Sequence, residues 1–69
     1  MRYKQNKTYI LDKYKFLHHM TVTGRSWSNF FDSIIKLDGH KVDVLNQYEG
    51  IVKGDGIILY VNVKWCKEL

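Results

Sequence analysis

From Trp27 to Lys36 the apolar residues recur with the period of a helix, while on either side they alternate with polar ones. Trp27, Phe30, Phe31 and Ile34 fall at i, i+3, i+4 and i+7 and so share one face, which Ile35 widens. Ser28, Asn29, Asp32, Ser33 and Lys36 occupy the opposite face. Ser26 is placed to cap the first turn, and Asp38-Gly39 supplies a stop in which glycine takes the left-handed conformation. The spacing predicts one helix over about 27–36.

Before it, Tyr14, Phe16, His18, Met20 and Val22 alternate with Lys13, Lys15, Leu17, His19 and Thr21, the period of a half-buried strand. Thr8–Leu11 reads as a shorter strand that either forms a hairpin with Tyr14–Val22 or continues into it through a bend at Asp12. After the helix, Lys41–Leu45, Tyr48–Lys53 and the run from Ile57 to Trp65 predict a three-stranded meander. Its second connection is Gly54-Asp55-Gly56, and Asp-Gly between β-rich runs signals a type I′ hairpin, whose two central residues both need positive φ. In the last strand Ile57, Leu59, Val61, Val63 and Trp65 form the expected buried row, with Ile58, Tyr60, Asn62, Lys64 and Cys66 on the other side.

The expected fold is therefore α+β: a small antiparallel sheet of four or five strands with a single helix on one face, in the order β(β)-α-β-β-β. The alternative is a small SH3-like barrel with the helix inserted at one end. The 69 residues form one domain, residues 1–69, with no proline, repeat or linker to divide it. A domain this size buries only about 60% of the surface of its unfolded chain, and one cysteine, Cys66, allows no internal disulfide. Oligomerisation or a larger partner would add stability, although a hydrophobic share of 45% also fits an autonomous core.

No apolar run is long enough to cross a membrane or act as a signal peptide, so the chain reads as cytoplasmic, in a host cytoplasm if it is phage-encoded. Cofactors are not expected. His18 and His19, neighbours on a strand, would point to opposite faces and share no ion, and His40 alone adds little, so no metal site is expected. The carboxylates are scattered, with no pair spaced for acid and base roles. Cys66 as a nucleophile would need an electropositive pocket, and the expectation is a non-enzymatic protein.

Eleven Lys and Arg against seven Asp and Glu give a net charge of +4, which admits nucleic acid or an acidic protein as partner. Arg2, Lys4, Lys7, Lys13 and Lys15 crowd the first fifteen positions. If the strands from Lys13 and Ile57 share a sheet, Lys13, Lys15, His19, Tyr60, Asn62 and Lys64 lie on its open face with Leu17 and Ile58. Lysines for phosphates and a ring for bases suit single-stranded DNA or RNA, with Arg2, Lys4, Lys7, Lys13, Lys15, His19, Tyr60 and Lys64 as the binding set. Because these groups form no continuous stripe, the sequence ranks protein recognition ahead of this. A small chain rich in Lys, Asn, Ile and Tyr, without proline or an active site, has the composition of a phage or mobile-element accessory protein. Such a protein acts as an inhibitor or modulator by stoichiometric binding to a host or defence protein, here through Arg25, Asn29, Tyr60 and Lys64. A structural subunit of a homo-oligomer, such as a homodimer, is the third expectation.

Overall fold

The structure, a computed structural model, describes residues 1–24 and 31–69. Its elements are β1 (Tyr9–Leu11), α1 (Lys13–Thr23), α2 (Phe31–Leu37), β2 (Asp43–Val44), β3 (Glu49–Gly54), β4 (Ile57–Asn62), a 3-10 turn (Val63–Trp65) and β5 (Cys66–Glu68). The strands form two antiparallel sheets, β1-β5 and β2-β3-β4. The α+β class and the antiparallel pairing are those expected, and the two separate sheets are not the closed barrel of the alternative.

The segment read as a strand from Tyr14 to Val22 is the helix α1, so the chain departs from the expected single-helix order. The reason lies at Asp12, whose extended backbone (φ −125°, ψ 112°) makes it an N-cap. Asp12 Oδ1 accepts from the backbone N–H of Tyr14 (2.8 Å) and Lys15 (3.3 Å), and Asp38 Oδ1 accepts from that of Lys13 (2.8 Å). Two carboxylates thus satisfy the open amides of the first turn and place negative charge where the helix dipole favours it. At the other end Gly24 takes φ 68°, and its N–H donates to the Met20 carbonyl at 2.9 Å. Periods of two and of 3.6 both place residues four apart on one side, so buried Phe16 and Met20 fit either pattern, whereas Tyr14 and Val22 are exposed.

Nor do Thr8–Leu11 and Tyr14–Val22 form a hairpin or one bent strand. β1 pairs instead with β5, in the register Tyr9 with Glu68 and Leu11 with Cys66. Its other edge reaches the loop after α2, where the Leu11 N–H donates to the His40 carbonyl (3.0 Å) and the Val42 N–H to that of Tyr9 (2.9 Å). β1 thereby joins the chain ends to the three-stranded sheet.

The expected helix over 27–36 is represented by α2, which packs on β3, and Ser26, Trp27, Ser28, Asn29 and Phe30 lie outside the described residues. Ile34 and Leu37 are fully buried, Phe31 is half-buried, and Ile35 is exposed rather than part of the stripe. Gly39 ends this region with φ 83°, as the Asp38-Gly39 signal implied.

The β3-β4 hairpin has the expected turn, with Asp55 and Gly56 at φ 50° and 74° between the paired Gly54 and Ile57. The burial alternation along β4 holds through Lys64 and then reverses, because the 3-10 turn breaks the strand. Asn62 caps this turn by accepting from the Lys64 N–H at 2.9 Å. Cys66, expected to face outward, is instead buried in a core that includes Leu11, Phe16, Ile34, Leu37, Val52 and Val63.

Two substitutions test this packing. Asp12→Ala should lower stability by about 1 kcal/mol and reduce helical circular dichroism, an effect absent if Tyr14–Val22 were a strand. At buried Gly50 an added Cβ would collide with Val42 Cγ1 and press on the Tyr3 hydroxyl. Gly50→Ala should therefore lower the urea midpoint by the equivalent of about 1–3 kcal/mol.

Candidate functional site

Trp65 determines where its neighbour Lys64 stands relative to α1. Its ring meets Phe16 edge-on (centroids 5.0 Å apart, 85° between planes), and its indole Nε1–H donates to His19 Nδ1 at 2.8 Å. The Asp12 N–H also donates to the Trp65 carbonyl at 2.9 Å. The 3-10 turn is thus held along α1, and exposed Lys64 comes to the same cleft as Lys15.

That cleft, about 530 Å³ and open to solvent, is lined by Met1, Tyr14, Lys15, His18, His19, Val22 and Lys64. A second cleft of about 480 Å³ is lined by Met1, Arg2, Lys4, Tyr9, Lys15 and Glu68. Met1 and Lys15 belong to both, so the two adjoin. Arg2, Lys4, Lys15 and Lys64, drawn from three separate parts of the chain, surround this surface, and among the described residues Glu68 is the carboxylate that lines it. Glu68 lies 3.6 Å from Lys4 Nζ and accepts from the Tyr9 hydroxyl at 3.5 Å. Tyr14 is 71% exposed on the rim, with Lys13 Nζ 5.2 Å from its ring centroid. The arrangement supplies cations beside an accessible ring and apolar side chains, which suits a flexible polyanion carrying flat groups.

Of the expected nucleic-acid set, Arg2, Lys4, Lys15, His19 and Lys64 are brought together, Lys13 stands over the Tyr14 ring, and Lys7 and Tyr60 line neither cleft. They do not share an open sheet face, because Lys13, Lys15, Leu17 and His19 are on α1 while Ile58, Tyr60 and Asn62 are on β4. Of the protein-binding set, Arg25 and Asn29 lie outside the described residues, and Tyr60 is on the open side of β4, away from the Lys64 cleft. His18 and His19 were expected to diverge, yet both line the first cleft, since helical neighbours are only about 100° apart. His40 lies against Gly54 instead.

Sequence reasoning missed Tyr14, His18 and Val22 because the strand reading assigned them to a buried row. The signal that would have found them is Asp12 as an N-cap followed by an apolar pair at Phe16 and Met20.

Cys66 is not poised as a nucleophile. Its Sγ lies 3.2 Å from the Tyr3 hydroxyl, and burial pushes its thiol pKa up, partly opposed by the Tyr3 hydrogen bond and the Lys15 charge. Burial, then the hydrogen bond to Cys66, pushes the Tyr3 phenol up as well. Both groups are therefore held protonated, the reverse of what thiolate attack requires. With folded values above unfolded ones, their contribution to stability is complete below the unfolded pKa and is lost as the pH rises beyond it. Unfolding midpoints should fall as the pH is raised above about 8.5, the ordinary cysteine value, and further past about 10 for tyrosine. Cys66→Ala should remove the first part of that loss, and native Cys66 should resist thiol reagents until denaturant is added. No protein-family model, curated protein or solved structure matches the chain, so the chemistry of this surface carries the functional argument.

Proposed function

We propose that the protein is a non-enzymatic module that binds single-stranded DNA or RNA across the two adjoining clefts. The observation carrying this reading is the convergence of Arg2, Lys4, Lys15 and Lys64 around a surface rimmed by exposed Tyr14. Phosphates take the cations, and a base stacks on the free side of the Tyr14 ring, whose other face is near Lys13. The reason for ranking protein recognition first was that the basic groups formed no continuous surface, and the adjoining clefts remove that reason. With cations set against phosphates, the expected binding depends strongly on salt.

A second reading, stoichiometric binding of one host or defence protein, draws support from the open face of β4, where Ile58 and Tyr60 are exposed. It predicts one defined partner that survives nuclease treatment in a pull-down.

Fluorescence anisotropy with a labelled oligonucleotide of about 15 nucleotides tests the first reading. Lys15→Ala and Lys64→Ala should each flatten the salt dependence by about 0.7 in log–log slope. Tyr14→Ala should weaken binding by about 1–3 kcal/mol with the slope unchanged. Lys36→Ala, at an exposed site on α2 outside both clefts, should leave affinity as it was. No binding at low salt, or equal losses from Lys36→Ala and Lys15→Ala, would sink the proposal.

A further inference from the structure

The hydrogen bond from Trp65 Nε1–H to His19 Nδ1, at 2.8 Å, fastens the 3-10 turn to α1 through two side chains. An indole nitrogen can only donate, so Nδ1 must accept, and a histidine that accepts at Nδ1 is neutral with its proton on Nε2. A proton on Nδ1 turns the acceptor into a second donor facing the indole N–H, and the bond is lost. Both residues are half-buried, so water does not simply replace it.

The surroundings of His19 also oppose a charge there. Lys15, one turn earlier on α1, and Lys64 on the 3-10 turn line the same cleft, together with His18, the Tyr14 phenol and Met1 with its amine. Among the described residues no carboxylate lines it. Glu68 lines the adjoining cleft, where Lys4 and the Tyr9 hydroxyl engage it. On the core side Cys66 is held as a thiol and adds no negative charge. A protonated His19 therefore meets like charges here rather than a counter-charge.

We propose that His19 is a positioning residue that holds Lys64 at the cleft only while its ring is neutral, so that acidification releases the 3-10 turn from α1. Lys64 immediately precedes Trp65, and attachment of the indole fixes where the Lys64 stem leaves the turn. The Asp12 N–H to Trp65 carbonyl bond and the edge-on Phe16 contact do not involve the proton, so the turn loosens while the chain stays folded. The stability this bond contributes is complete above the ordinary histidine value of about 6.5 and is lost as the pH falls below it. The latch stands on the packing of α1 against the turn, whatever the ligand, and only its effect on binding rests on the nucleic-acid reading.

NMR of the imidazole and indole nitrogens from about pH 7.5 to about pH 5 tests it. His19 should be the Nε2–H tautomer at the upper end. Its protonation and the shift of Trp65 Nε1–H away from its hydrogen-bonded position should follow one titration curve. His19→Asn offers an amide oxygen in place of Nδ1 and does not titrate, so the indole should stay hydrogen-bonded throughout. His18→Asn should leave the titration intact, which keeps the test decisive even if His19→Asn does not fold. An indole that fails to move with His19, or that moves equally in His19→Asn, would overturn the proposal. In oligonucleotide binding, the change in salt slope caused by Lys64→Ala, about 0.7 near pH 7.5, should drop to less than about half of that near pH 5, and should persist in a His19→Asn background. Equal changes at both pH values would overturn the positioning role, whereas no binding at either pH would remove the nucleic-acid reading and leave the latch to be decided by the indole titration.

Discussion

The pairing of β1 with β5 brings together segments more than fifty residues apart, and the positions of α1 and the 3-10 turn follow from it. β1 ends at Leu11, and Asp12 at once caps α1 while donating its N–H to the Trp65 carbonyl. On the other strand Cys66 follows Trp65, whose ring fills the space between Phe16 and His19. One short ladder thus fixes both strand ends from which helix and turn depart. Because the chain has no disulfide and a small core, few contacts elsewhere can substitute for this closure.

The hydrogen bond between Tyr3 and Cys66 belongs to the same closure. Tyr3 meets the Tyr9 ring edge-on at 4.8 Å, and its N–H donates to the Gln47 carbonyl at 2.7 Å. The N-terminal segment is thereby tied to β1, to β5 and to the loop before β3. Arg2 and Lys4, on either side of Tyr3, are held near Lys15 for that reason, so the basic surface depends on the buried network behind it.

The sequence carried the second half of the fold well, because its signals are local. Asp55-Gly56 sets a hairpin by backbone conformation alone, Asp38-Gly39 ends α2, and the alternation of β4 reports which side meets the core. The first half was misread because alternation and helical period agree at Phe16 and Met20, and exposed Tyr14 and Val22 completed a false row of five. Arbitration came from capping by Asp12 and, across 25 residues, by Asp38, and the second is not visible in a local window. The candidate site shared that fate. Its basic members were legible as residue types, but the helix gathers a different subset and replaces Tyr60 with Tyr14 as the ring beside them. Pairing of β1 with β5 has no local signature at all, since three-residue strands at a distance leave no periodicity to read.

Native-state hydrogen exchange measures the closure most directly, through the amides of Leu11, Asp12, Val42 and Leu69 that tie β1 to its neighbours. If closure of the chain ends holds the domain together, these amides exchange only by global unfolding, with the same opening free energy as Leu59 and Val61 in the hairpin. Fast exchange of these amides while the β3-β4 hairpin stays protected would contradict the account.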